Sequence, residues 1–121
     1  MKLLDSNILI YAPQPSYSYM RPLLTDADSV VSEIAMIEVL GYHQLTIADK
    51  AYYETFFKSI SIISIDRTIV LKAIELRQLK RMSVGDSIHA ATALIHNLEL
   101  YTHNDADFNW IPQLRVIKPM P

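Results

Sequence analysis

The chain has 121 residues, half of them apolar and a fifth charged, with no cysteine and a formal net charge of −2. That is the size and composition of one globular domain that buries a core without disulfides or thiolate metal sites, and no global positive field draws it to nucleic acid. The start lacks the basic, apolar and small-residue blocks of a secretory leader, and no apolar run nears the roughly 20 residues that span a bilayer, so a soluble cytoplasmic protein without membrane contact is expected.

Short apolar runs alternate with longer stretches of helical period, which predicts an α/β domain with a mainly parallel sheet. In chain order, strands are expected at 2–4, 29–31, 61–65, 98–102 and 114–117. Helices are expected over 6–12, 16–25, 33–44, 47–58, 67–81 and 85–96. Helix starts carry their own chemistry: Ser32 precedes EIAMIEVL, Thr46 and Asp49 form a capping box, and Asp66 precedes RTIVLKAIEL. No internal repeat or linker interrupts the pattern.

Sheets of this kind bind ligands beyond the carboxyl ends of their strands. Asp5 follows the first predicted strand, Ser32 and Glu38 the second, and Asn104, Asp105 and Asp107 the fourth, while Asp86 opens the helix in SVGDSIHAATALIHNL. Asp5 lies between apolar flanks, where an unpaired charge costs several kcal/mol. Glu38 interrupts a segment, IAMIEVL, that is apolar on nearly every side and so reads as a buried helix. Each carboxylate also has a purely structural reading. Asp5 suits an N-cap, Ser83 to Asp86 form a capping box, and Asp107 suits a turn rich in Asx residues. Together, four carboxylates on one edge are harder to explain structurally. A pair about 5 Å apart repels by roughly 3 kcal/mol at an effective dielectric near 20, so a cluster needs a cation. Hard oxygen donors select Mg²⁺, with Mn²⁺ as a substitute, and serve metal-assisted phosphoryl transfer.

Other chemistries are excluded or weak. With glycine only at 41 and 85, neither GxGxxG nor a P-loop exists, and GxSxG and HExxH are absent. His43, His89, His96 and His103 have no compact ligand spacing and read as packed or solvated. The densest basic patch, Arg77, Lys80 and Arg81, reads as a solvated helix end. The aromatic group Tyr52, Tyr53, Phe56 and Phe57 has helical spacing and belongs to a core, with part of it available as a partner face.

Four ordered pieces, LLDSNILIYA, VVSEIAMIEVL, SVGDSIHAATAL and LYTHNDADFNWIPQLRVIKP, span nearly the whole chain. In this order and spacing the sequence resembles the PIN-domain nucleases, and among them the VapC-type toxins of toxin-antitoxin systems. The resemblance implies a three-layer sandwich around the parallel sheet and a Mg²⁺-dependent endoribonuclease. It also implies a homodimer and inhibition by a small antitoxin that lays a segment across the acidic site, a basic side chain entering it. Asp5, Glu38, Asp86 and Asp107 would be the catalytic and metal-binding carboxylates. Ser6 resembles the hydroxyl residue after the first Asp, and Ser32 and Thr102 the polar residues at strand ends. Asn104 occupies a place held by Asn or Asp, and Asp105 is a second candidate for the fourth carboxylate. His103 stands where Arg is common, and His89 within DSIHAA is a further departure. Two alternatives stay open: a PIN-like domain that binds RNA or protein without cleavage, and a response-regulator receiver with Asp66 as phosphoacceptor, suggested by Lys118-Pro119.

Overall fold

A computed structural model describes all residues, Met1–Pro121. Five strands, β1 (Lys2–Leu4), β2 (Ser29–Ser32), β3 (Ser61–Ile63), β4 (Glu99–Tyr101) and β5 (Val116–Ile117), form one sheet in the order β3-β2-β1-β4-β5. Every neighbouring pair is parallel. The helices are α1 (Ser6–Tyr11), α2 (Pro22–Thr25), α3 (Ile34–Leu40), α4 (Ile47–Ser59), α5 (Arg67–Leu79) and α6 (Val84–His96).

An all-parallel sheet must be covered on both faces, and the alternation of side chains along each strand divides the core in two. Leu3, Val30 and Leu100 point to one face, where they pack with Ile69, Ala73 and Leu76 of α5, the alanines of α6, and Phe108. Leu4 and Val31 point to the other, against Ile8 and Leu9 of α1, Ala35 and Val39 of α3, and Tyr53 and Phe57 of α4. The result is the three-layer sandwich. Its strand order also removes the receiver alternative, since receivers are built 2-1-3-4-5. Asp66 is a helix cap whose side chain accepts the amide of Ile69 at 2.9 Å.

The expected caps at Thr46, Asp66 and Ser83 form, each side-chain oxygen accepting the amide three residues on. Several boundaries differ from expectation, because the backbone donors there go elsewhere. β3 stops at Ile63, and the Ile65 amide turns to the Glu33 carboxylate. β4 starts at Glu99 because Leu98 still donates to Ala93 of α6, and β5 starts late because Leu114 donates into a turn at Ile111. The expected helix 16–25 is a 3-10 helix over Pro15–Met20 followed by the short α2. α3 ends at Leu40, four residues early, where Gly41 donates to Ile37 and a Cβ would stand 2.3 Å from the Ile37 carbonyl oxygen. Nor is α3 buried all round: Ile37 is 64 % exposed.

Of the aromatic group, Tyr53 and Phe57 are core, while Tyr52 is exposed. Burial, with the nearby Tyr52 and Asp49, pushes the Tyr53 phenol up to about 12, so it stays a donor. Its hydroxyl donates at 2.9 Å to the buried carbonyl of Leu9, near the end of α1. Tyr53→Phe strips that carbonyl of its partner. Urea denaturation should show a loss of about 1–2 kcal/mol without a change in slope.

Candidate active site

Strand order reverses between β1 and β4, and the crevice at the carboxyl ends of such a pair is where open α/β sheets gather ligands. Asp5 stands there, directly after β1, its amide donating to the Tyr101 carbonyl of β4 at 2.9 Å. It occupies the N-cap position of α1, yet its side chain makes no capping bond. Instead Oδ2 accepts the Thr102 hydroxyl at 2.8 Å, and Oδ1 lies 3.5 Å from Nε2 of His89. The structural explanation for Asp5 therefore fails: a 6 % exposed carboxylate is held toward the crevice.

α3 brings Glu38 to the same crevice, with 35 % of its side chain exposed. Its Oε1 accepts the Ser6 hydroxyl at 2.6 Å and meets His89 Nε2 at 2.7 Å. α6 supplies both walls of that contact. His89 is fully buried. Gly85, one turn earlier, lies so near that a Cβ would stand 2.3 Å from Glu38 Oε2. Neither was singled out for this role by the sequence. The available signal was their i,i+4 spacing on one helix face that also carries Asp86.

Asp86 has two roles at once. Its backbone amide is capped by Ser83, and its half-buried carboxyl faces the crevice. Burial first, then the charges of Asp5 and Asp107, raise its pKa, against the opposing influence of His89. Asp107, on a 3-10 turn over Asp105–Asp107, lines one groove with Asp86. Asp105 does not: its carboxylate accepts only a long bond from Asn109. Asn7 and Asn104 brace the loop after β4, the Asn7 amide group and the Asn104 backbone both donating to the Thr102 hydroxyl oxygen. Ser32 is buried at the end of β2 and accepts the Ile34 amide, a turn bond that opens α3.

The charge of His89 decides the electrostatics. Burial disfavours the imidazolium, but the hydrogen bond to Glu38 and the charges of Asp5, Glu38 and Asp86 outweigh it and raise its pKa. Nδ1 has no partner, which limits the rise, since a buried N–H without an acceptor costs about 1–3 kcal/mol. Conversely, partial burial opposes ionisation of Glu38, and the bond and charge of His89, with Ser6, more than compensate and lower its pKa.

The donors available, carboxylates and hydroxyls without thiols, suit a hard dication of the Mg²⁺ or Mn²⁺ type. As the side chains stand, no three acidic or imidazole groups converge tightly enough to hold an ion. One reason lies in the geometry above: His89 occupies the space between Glu38 and Asp5.

The PIN domain family model matches residues 2–113, and the chain belongs to this family. No curated protein matches it by sequence. Among solved structures, a toxin-antitoxin complex from Klebsiella pneumoniae contains a chain 29 % identical, with a TM-score of 0.81, matched over 99 % of this chain and 98 % of that one. VapBC2 from Rickettsia felis, bound to a DNA fragment from their promoter, is 21 % identical with a TM-score of 0.80, over 98 % of both chains. DNA-bound VapBC from Salmonella typhimurium is 20 % identical with a TM-score of 0.82, over 97 % of this chain and 96 % of that one. The fold is theirs.

Two outcomes follow from the Glu38–His89 contact. The pair is intact only while the carboxyl is ionised and the imidazole protonated. The folded pKa of His89 lies above its ordinary 6.5, so its contribution is complete below that value and is lost as pH climbs through the raised one. That of Glu38 lies below its ordinary 4.5, so its contribution is complete above that value and is lost as pH falls through the depressed one. Denaturation in chelator should therefore show stability falling as pH rises past about 6.5 and through the raised His89 value, and a smaller fall in His89→Asn. Gly85→Ala should leave stability within about 1 kcal/mol, helix propensity offsetting the displaced side chain. By pushing Glu38 off His89 it should return the imidazole pKa, followed by NMR, toward the ordinary value.

Proposed function

We propose that the chain is a metal-dependent endoribonuclease, the toxin of a VapBC-type toxin-antitoxin pair. The observation that carries this reading is Asp5: a buried carboxylate that caps nothing, stands at the switch point of a PIN-family sheet, shares His89 with Glu38 and raises the pKa of Asp86 through its charge. Membership of the PIN family supports hydrolysis of a phosphodiester, and the toxin-antitoxin complexes of the same fold support the biological role.

Asp5, Glu38, Asp86 and Asp107 would hold Mg²⁺ or Mn²⁺, which when bound lowers the pKa of water and offsets charge developing on the phosphoryl group. The remaining residues keep these donors in place. The Thr102 hydroxyl donates to Asp5 Oδ2, which fixes the plane of that carboxylate and leaves Oδ1 toward the crevice. Ser6 and His89 both engage Glu38 Oε1, which leaves Oε2 as its free oxygen. Asp86, with its raised pKa, yields its proton less readily than an isolated carboxyl, so site assembly is favoured as pH rises. Asp107 is the fourth carboxylate rather than Asp105, because Asp107 shares the groove with Asp86 and its charge is felt there.

The partners follow from exposed apolar surface. Ile10, Ile37, Tyr42 and Ile47 are 43–90 % exposed, and Ile10 and Tyr42 line a cavity of about 610 Å³ that also contains Glu38. That surface suits an antitoxin segment laid beside the acidic site, a basic side chain of which would enter it. Val70, Ile74 and Val84 are exposed along α5 and α6 and suit self-association into a homodimer. No helix is long and apolar enough to cross a membrane.

Purified protein should cleave RNA with Mg²⁺ or Mn²⁺ and lose that activity in excess chelator. Asp5→Asn and Asp86→Asn should each lower the rate by about a hundredfold or more, roughly 3 kcal/mol of barrier. Asp107→Asn should do the same while Asp105→Asn cleaves normally. Cleavage that survives chelation sinks the proposal.

A further inference from the structure

The basic residues that the sequence reads as a solvated helix end do stand exposed at the end of α5, where they also line a groove of about 600 Å³ beside the carboxylates. Arg77, Lys80 and Arg81 line it together with Asp86, Asp107 and Trp110. None of the three cations forms an ion pair; the chain's Lys and Arg pairs are Lys2 with Asp26 and Lys72 with Glu75. Arg77 is nevertheless set in position, its Nε donating to the Met82 carbonyl at 3.1 Å. Trp110 is held by its Nε1 donating to the Asp107 carbonyl at 3.1 Å, and the Lys80 ammonium lies 5.5 Å from its ring centroid. An aromatic plane fixed beside three unneutralised cations, on a chain of net charge −2, is a concentrated departure from the rest of the surface.

We propose that this groove is the subsite for the RNA strand leading away from the cleaved bond, and that it takes that strand single-stranded. The inference rests on the ribonuclease reading above and adds the path and the form of the substrate. Arg77 and Arg81 take successive phosphates. The indole face of Trp110 takes one unpaired base, with Lys80 above the ring contributing a cation–π contact. A base still paired in a duplex has its face covered by its neighbours and cannot reach the indole, so unpaired loops and ends are selected. The anchoring of Trp110 through Asp107 couples base stacking to the acidic turn itself. The strand is thereby registered on the carboxylates.

Trp110 is the only tryptophan in the chain, so its emission reports the contact directly. In chelator at low salt, titrating the wild-type protein with a short single-stranded RNA should quench that emission, and the same sequence as a duplex should not. Trp110→Leu should weaken single-strand binding by about tenfold, with Trp110→Phe retaining most of the affinity. The exposed pair Arg77→Gln with Arg81→Gln should weaken binding and flatten the log-affinity against log-salt slope by about 1.4, two phosphates at about 0.7 each. If RNA is bound and cleaved normally while the emission stays constant and these variants bind like wild type, the groove is not the RNA path, though the ribonuclease reading stands. If the wild type neither binds nor cleaves any single-stranded RNA with Mg²⁺ or Mn²⁺, that reading fails and the subsite falls with it.

Discussion

A carboxylate buried at the end of the central strand has to be compensated where it stands, and the compensation of Asp5 organises much of this molecule. Water is largely excluded from it, so its partners must come from the protein. They come from the far end of the chain, Thr102 after β4 and His89 in α6. The same imidazole then serves Glu38 of α3, so one buried side chain ties three elements to the mouth of the sheet. A neutral side chain at position 89 would leave Asp5 and Glu38 to repel each other across a low-dielectric gap.

This arrangement has a consequence for a dication. A dication bound at the crevice would have to share Asp5 and Glu38 with His89, whose Nε2 lies 3.5 Å from Asp5 Oδ1 and 2.7 Å from Glu38 Oε1. The protonated imidazole and such an ion would act on the same repulsion, and the imidazole does so only until pH rises through its raised pKa.

The α5–α6 hairpin does the complementary work on the other side. Its turn, from Lys80 to Ser83, carries cations on one flank and the cap of Asp86 on the other, so opposite charges lie within a few residues of each other without pairing. Pairing them would satisfy the surface and close the groove. Held apart by the cap and by the tie between Arg77 and Met82, they present a polarised cleft. The packing of α5 and α6 against Leu3, Val30 and Leu100 fixes the two helix ends between which that turn runs.

What the sequence determined by itself was local or periodic. The caps at Thr46, Asp66 and Ser83 depend on residues three apart, and the parallel α/β architecture depends on short apolar runs alternating with stretches of helical period, so both were legible. The four-part motif order made the family legible as a resemblance. Element ends were less so, because β3 stops where the Ile65 amide finds a partner in Glu33, which no window of neighbouring residues contains. Burial of α3 was misread for the same reason: composition records how apolar Ile37 is, not whether another helix covers it. The tertiary structure alone decided that Asp5 faces Thr102 rather than capping α1, that Asp107 and not Asp105 shares the groove, and that His89 meets Glu38 from 51 residues away. Those contacts join side chains from separate elements, and their positions exist only once both faces of the parallel sheet have been covered.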